Sequence, residues 1–164
     1  MDEKNASCRV YACVNQKGGV GKSVSSTNLG IGLARHGHNV LIVDLDSQAS
    51  QTVSLGWHQP DELPATIATQ LAKIIENKPI DPQEGILHHN EGVDLMPSNI
   101  EFSGVEMRMV NAMSREFVLR PHLEYVKPAY SAVILVCPPT PCLLSINTPA
   151  APHRGHVPAQ PDLL

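Results

Sequence analysis

The chain has 164 residues, enough for one domain with its own core, and its 42% hydrophobic and 17% charged residues are those of an ordinary soluble globular protein. No apolar run approaches the roughly 20 residues of a membrane span. The acidic, polar start MDEKNASCRV lacks the basic-then-apolar order of a secretory signal, so a cytoplasmic protein with reduced cysteines is expected. A formal net charge of -4, with no Lys or Arg cluster longer than a neighbouring pair, leaves no basic patch for nucleic acid and counts against DNA binding by this chain alone.

Residues 9–15 (RVYACVN) form a short β-prone run that ends at the glycine-rich stretch NQKGGVGKS, Asn15 to Ser23. Residues 24–36 follow with Leu29, Ile31, Leu33 and Ala34 at helical positions, and Gly37 is placed as a C-cap. Residues 39–45 (NVLIVDL) are near-continuously apolar, as in a parallel strand buried on both faces. Strand, helix and strand within about 35 residues make a βαβ unit. A second helix is predicted over 66–77, from Ile67, Leu71, Ile74 and Ile75, with Pro79 ending it. Residues 92–97 (GVDLMP) predict a strand. Ser98 and Glu101 have capping-box spacing ahead of one long helix over 99–119, with Phe102, Val105, Met109, Ala112, Met113 and Phe117 on one face. Residues 130–137 (YSAVILVC) predict a last buried strand, stopped by Pro138 and Pro139. The alternation argues for an α/β fold on a doubly wound, mostly parallel sheet, with no internal repeat.

The two ends of the chain differ in kind, since nine of the fourteen prolines lie from Pro121 onward. Residues 1–137 therefore read as the folded domain, and 138–164 as a proline-interrupted, poorly ordered tail.

The glycine-rich stretch carries the chemistry. A loop that wraps phosphates must aim several backbone N–H groups at one point, and Gly18, Gly19 and Gly21 permit the close approach and dihedrals this takes. The helix that follows turns its positive end toward the same anion. Lys22 would reach the β and γ phosphates, and the Ser23 hydroxyl is placed to ligate Mg²⁺. The strict phosphate-loop pattern requires glycine five residues before Gly21, where this chain has Gln16 followed by Lys17.

KGGVGKS resembles the deviant Walker A motif of the ParA/MinD family of P-loop ATPases. That resemblance implies that residues Lys17 to Val24 contact ATP. Within them, Lys17 would be the signature lysine that crosses a dimer interface to the partner's nucleotide, and Lys22 the ordinary phosphate lysine. VLIVDLDSQAS, Val40 to Ser50, is similar to the family's Asp-x-Asp-Pro-Gln segment. By that likeness Asp44 holds Mg²⁺ through water and Asp46 orients the attacking water, with Ser47 in place of the usual proline. Carboxylates at the C-terminal end of a parallel strand lie where ligands bind in such sheets. The tracts LGIGLARHGHNVLIVD, LHHNEGVDLMPSNIEFSGVE and NAMSREFVLR narrow the resemblance to ParA (Soj)-type partitioning ATPases over about residues 8–119. The implied activity is Mg²⁺-ATP-dependent partitioning of chromosomes or plasmids. It runs through an ATP-dependent homodimer, nonspecific DNA binding and a ParB-type adaptor, on a protein that is cytoplasmic and nucleoid-associated. A membrane role of the MinD kind is not implied, because the chain has no terminal amphipathic helix with a basic face.

The chain departs from the family at one chemical position. YSAVILVCPPT aligns with a strand ending in Asp-Cys-Pro-Pro, which puts Val136 where the family's Walker B aspartate completes the magnesium shell. A valine accepts no hydrogen bond from a metal-bound water, so hydrolysis is at stake more than binding, and Ser23 with Asp44 is expected to hold the ion. The chain also stops where family members continue, which the resemblance reads as a truncated, degenerate copy. The alternative function is an ATP-binding regulatory module without turnover, or a nonfunctional fragment. Cys137, Cys142, His153 and His156 have the order of a zinc finger but not its spacing. His88 and His89 read as surface residues, and Met107, Met109 and Met113 as core.

Overall fold

A computed structural model describes residues 8–14, 21–110, 118–138 and, as backbone only, 154–156. The elements in chain order are β1 (Arg9–Cys13), α1 (Lys22–Arg35), β2 (Val40–Asp44), α2 (Ser50–Ser54), α3 (Ile67–Ile75), β3 (Leu87–His88), β4 (Val93–Met96), α4 (Glu101–Val110), α5 (Leu119–Val126), β5 (Ala132–Val136) and β6 (Arg154–His156). They build one six-stranded sheet in the order β3-β4-β2-β5-β1-β6, in which only the short edge strand β3 runs antiparallel to its neighbour. The mostly parallel sheet expected from the sequence is the one observed. β6 lies within the segment expected to form a poorly ordered tail, and pairs parallel with β1.

β2 and β5 are buried along their whole length and sit side by side at the centre of the sheet, as their unbroken apolar runs require. Their side chains alternate between two cores. Leu41, Val43, Val133 and Leu135 face the layer of α3, α4 and α5, packing with Ile67, Leu71, Phe102, Met109 and Leu123. Val40, Ile42, Ala132, Ile134 and Val136 face the opposite side, with Ile31, Leu33 and Ala34 of α1. Helices on both faces make the fold doubly wound. The period of two also fixes the site, since it puts Asp44 on the α1 face with Val40 and Ile42.

Helix α1 ends as its sequence predicts. Gly37 has φ +84°, and the N–H groups of Gly37 and His38 bond to the carbonyls of Ala34 and Leu33. One expectation fails. Ser98 does not cap α4: its backbone N–H donates to Thr52 Oγ1 at 3.0 Å, and its buried hydroxyl has no hydrogen-bond partner. Of the long helix predicted over 99–119, the described residues show Glu101–Val110 as α4. Helix α5 begins at Leu119, and residues 111–117, with Ala112, Met113 and Phe117, lie outside the described residues. Pro121 reads as a breaker but falls in the first turn of α5, where its missing N–H costs no helical bond. Met109 is buried as expected, whereas Met107 is 71% exposed.

Close packing of α1 on the sheet depends on Gly30. A Cβ there would sit 2.9 Å from Ile42 Cδ1 and 3.6 Å from Ile134 Cδ1, whereas at Gly32 in the same helix a Cβ meets nothing within 4 Å. Gly30→Val is expected to cost about 1–3 kcal/mol through overpacking. Gly32→Ala is expected to gain up to about 1 kcal/mol from helix propensity. Urea unfolding of the two variants reads the difference.

Candidate functional site

The C-terminal ends of β1, β5 and β2 form one row on the α1 face. Cys13 pairs in register with Val136, and Val136 with Asp44. Burial pushes the Cys13 thiol up to about 11, so it stays neutral beside the apolar Val136. Asp44 is the charged member of the row, and it is fully buried.

Three hydrogen bonds hold the Asp44 carboxylate. The backbone N–H and the hydroxyl of Thr52 both donate to Oδ2, at 2.9 and 2.8 Å, and the N–H of Asp46 donates to Oδ1 at 3.2 Å. Among the described residues no basic side chain comes within ion-pair distance of it. Burial therefore dominates, and pushes its pKa up to about 6 despite the three donors. Such a group is an incomplete electrostatic arrangement, because a buried charge is ordinarily paired or metal-bound.

Opposite this row, α1 starts from Gly21, which has φ +83° and open space around its Cβ position. The left-handed turn ends the loop and starts the helix at Lys22, so the first N–H groups of α1 are left without intrahelical partners. Lys22 and Ser23 are half-buried in that first turn, and Val24 is 66% exposed. Lys17, Gly18, Gly19 and Val20 lie outside the described residues.

Asp46 stands just past β2, half-buried, with Oδ1 accepting the N–H of Gln48 at 2.9 Å and its carbonyl accepting the N–H of Ala49 at 2.8 Å. This turn delivers the chain to Ala49, buried in the left-handed region at φ +51°, and then to α2. A non-glycine residue held there stores backbone strain of about 1–3 kcal/mol, as is common beside functional sites.

Sequence reasoning missed the two residues that cross-brace the site. Gln51 and Thr52 are adjacent in α2, and both are fully buried. Gln51 grips α1: Ser26 Oγ donates to its Oε1 at 2.8 Å, and its Nε2 donates to Thr27 Oγ1 at 2.7 Å. Thr52 grips Asp44. A five-residue helix is too short to show periodicity, and the run SQTVS gives no other signal. His88 and His89 stand at and just after the edge strand β3: His88 Nδ1 is 2.6 Å from Asp94 Oδ1, and the His89 ring sits 6.0 Å from that of Trp57. No group of three or more metal-capable His, Cys, Asp or Glu occurs among the described residues, and Cys142 and His153 fall outside them.

The donors present suit a hard cation bound with phosphate. Asp44 Oδ1 keeps lone-pair capacity, since its single bond is long, and the Ser23 hydroxyl opens α1. Oxygen donors in so small a number match Mg²⁺, which retains much of its water.

Comparison with known proteins agrees with this reading of the fold. The AAA domain family designated AAA_31 matches residues 8–163. The sporulation initiation inhibitor protein Soj of Bacillus subtilis is 36% identical over 154 residues, covering 93% of this chain and 58% of Soj. The chromosome partitioning protein ParA of Caulobacter vibrioides is 32% identical over 154 residues, covering 93% of this chain and 56% of that protein. The chain thus spans somewhat over half the length of these relatives. Among solved structures, cobyrinic acid a,c-diamide synthase from Mycobacterium smegmatis, with bound ATP analog and magnesium, superposes with a TM-score of 0.85 at 35% identity, over 95% of this chain and 62% of that one. Cyanothece McdA in complex with ATP superposes with a TM-score of 0.80 at 22% identity, over 94% of this chain and 57% of that one, a likeness of fold. By family match and by relatives, the chain belongs to the AAA domain family and is a homologue of the ParA and Soj partitioning proteins.

Proposed function

We propose that this chain acts as a ParA/Soj-type partitioning ATPase that takes Mg²⁺-ATP at the N-terminus of α1. The observation that carries the reading is Asp44: a buried carboxylate without a basic partner among the described residues, on the α1 face at the C-terminal end of a central parallel strand. Ligands bind at this position in open α/β sheets. The bound ATP analog and magnesium of the mycobacterial structure support the choice of ligand, because that protein shares 35% of its sequence with this chain as well as its fold.

In this reading the loop amides from Lys17 to Val24 cradle the phosphates, and the Lys22 ammonium offsets charge on the β and γ groups. Ser23 and Asp44 hold Mg²⁺, which when bound neutralises phosphate charge. Asp46 orients the attacking water, and Lys17 reaches the nucleotide of a second subunit in an ATP-dependent homodimer. A ParB-type adaptor, nonspecific DNA and a cytoplasmic, nucleoid-associated location complete the proposal, by likeness to the partitioning relatives. Every residue given a role lies within residues 1–137.

One observation favours a second reading, an ATP-binding module without turnover. Val136 is buried in register beside Asp44, where the family's aspartate is expected, so this chain brings one carboxylate to the row and not two.

Calorimetry and phosphate release separate these readings. The wild type is expected to bind Mg²⁺-ATP, and Lys22→Ala to lose about tenfold or more in affinity. Absence of binding by the folded wild type contradicts both readings. Turnover in the wild type, or its gain in Val136→Asp, supports the ATPase. Affinity with no turnover in either supports the module.

The raised pKa of Asp44 gives a further expectation for the nucleotide-free protein. Unfolding returns the carboxyl to its ordinary value near 4, so folding is unpenalised below about pH 4 and bears the cost of the buried charge once pH rises through about 6. Asp44→Asn is therefore expected to be more stable than the wild type at pH 7.5, by about 2 kcal/mol, with the gap closing below pH ~4. Denaturant titrations across this range test the sign.

A further inference from the structure

We infer that Thr52 is a positioning residue for the metal: it holds Oδ2 of Asp44 so that Oδ1 alone is presented to a divalent cation. The inference rests on the nucleotide-site reading above and assigns a role to a residue outside the loop and the two carboxylates.

The hydrogen-bond directions around Thr52 admit one arrangement. The Ser98 N–H can only donate, and it points to Thr52 Oγ1 at 3.0 Å. The hydroxyl oxygen therefore acts as acceptor toward β4, and its single proton is directed to Asp44 Oδ2 at 2.8 Å. The Thr52 backbone N–H, at 2.9 Å, adds a second donor to the same oxygen. Oδ2 thus has its acceptor capacity largely used, while Oδ1 has one long contact, the Asp46 N–H at 3.2 Å. The two oxygens of one carboxylate are made unequal, and rotation about its χ angles would break two bonds in a fully buried place.

The neighbouring residue supplies the second half of the device. Gln51 ties α2 to Ser26 and Thr27 of α1, the helix that carries Lys22 and Ser23. Two consecutive side chains of a five-residue helix therefore hold the strand with the carboxylate and the helix with the hydroxyl in one frame. With valine at 136, no side chain from β5 is available to share that work. Partners that orient a metal-binding group in this way typically contribute about 10–100-fold to metal affinity.

The test is calorimetry of a nonhydrolysable ATP analogue in Mg²⁺ and in EDTA, with the thermal midpoint read alongside, for the wild type, Thr52→Val, Thr52→Ser and Asp44→Asn. In the wild type, Mg²⁺ is expected to raise analogue affinity. Thr52→Val removes the hydroxyl at nearly constant shape; it is expected to keep its EDTA affinity within about twofold and to lose about tenfold of the Mg²⁺ gain. Thr52→Ser is expected to restore that gain, and Thr52→Val to add no further loss in the Asp44→Asn background. If Thr52→Val does not fold, Thr52→Cys, which keeps a weak S–H donor, carries the comparison with a smaller loss. A full Mg²⁺ gain in Thr52→Val, or equal losses with and without Mg²⁺, overturns this inference and leaves the nucleotide site standing. No analogue binding by the folded wild type overturns both.

Discussion

An aspartate at the end of a buried strand carries its charge into surroundings that penalise it, and the structure around Asp44 is arranged to tolerate that penalty without removing it. Two donors from Thr52 and one from Asp46 stabilise the carboxylate, yet burial still lifts its pKa to about 6. A lysine or arginine in the row would have neutralised it; the row offers a thiol and a valine. Among the described residues no basic side chain answers the charge, and a cation arriving with phosphate is favoured there by the same low dielectric that disfavours the bare carboxylate.

This constraint gives the fold its functional sense. Strand β5 enters between β1 and β2, so helices leave the sheet on both faces, and α1 lies over the face to which residues 40, 42 and 44 point. Gly30 lets α1 approach closely, and α2 then bridges α1 to β2 with Gln51 and Thr52. The bridge continues to Ser98 at the end of β4, where the Pro97 carbonyl also takes the Ile67 N–H from α3. The site's carboxylate is therefore connected through backbone groups to the helices on the far face.

Much of this was legible in the chain. The apolar runs of β2 and β5, the period of α3 and the αL glycine ending α1 are local patterns, and each predicts its element to within one or two residues. The proposal that Gly21, Lys22 and Ser23 act together with Asp44 comes from the sequence for the same reason: a loop between strand and helix and a carboxylate at a strand end are features of order along the chain. The failures share a cause. Ser98 and Glu101 have capping-box spacing, but tertiary contacts claim the Ser98 N–H for Thr52. Helix α5 was hidden by Pro121, whose effect depends on its position in the helix. Thr52 and Gln51 act through partners at least eight residues away, and no spacing rule encodes such a contact. Val136 is the instructive case, because a residue that is unremarkable in a buried strand becomes informative once it stands in register beside Asp44.

The central claim is that Asp44 meets a divalent cation through Oδ1 while Thr52 retains Oδ2. A crystal structure of this chain with Mg²⁺ and a nonhydrolysable ATP analogue tests it most directly. The expected result is a metal ion on the α1 face, within reach of the Ser23 hydroxyl and of Asp44 Oδ1 directly or through one water, with both Thr52 bonds to Oδ2 intact. Nucleotide and metal bound elsewhere, or a carboxylate that abandons Thr52 to reach the ion with Oδ2, would contradict it.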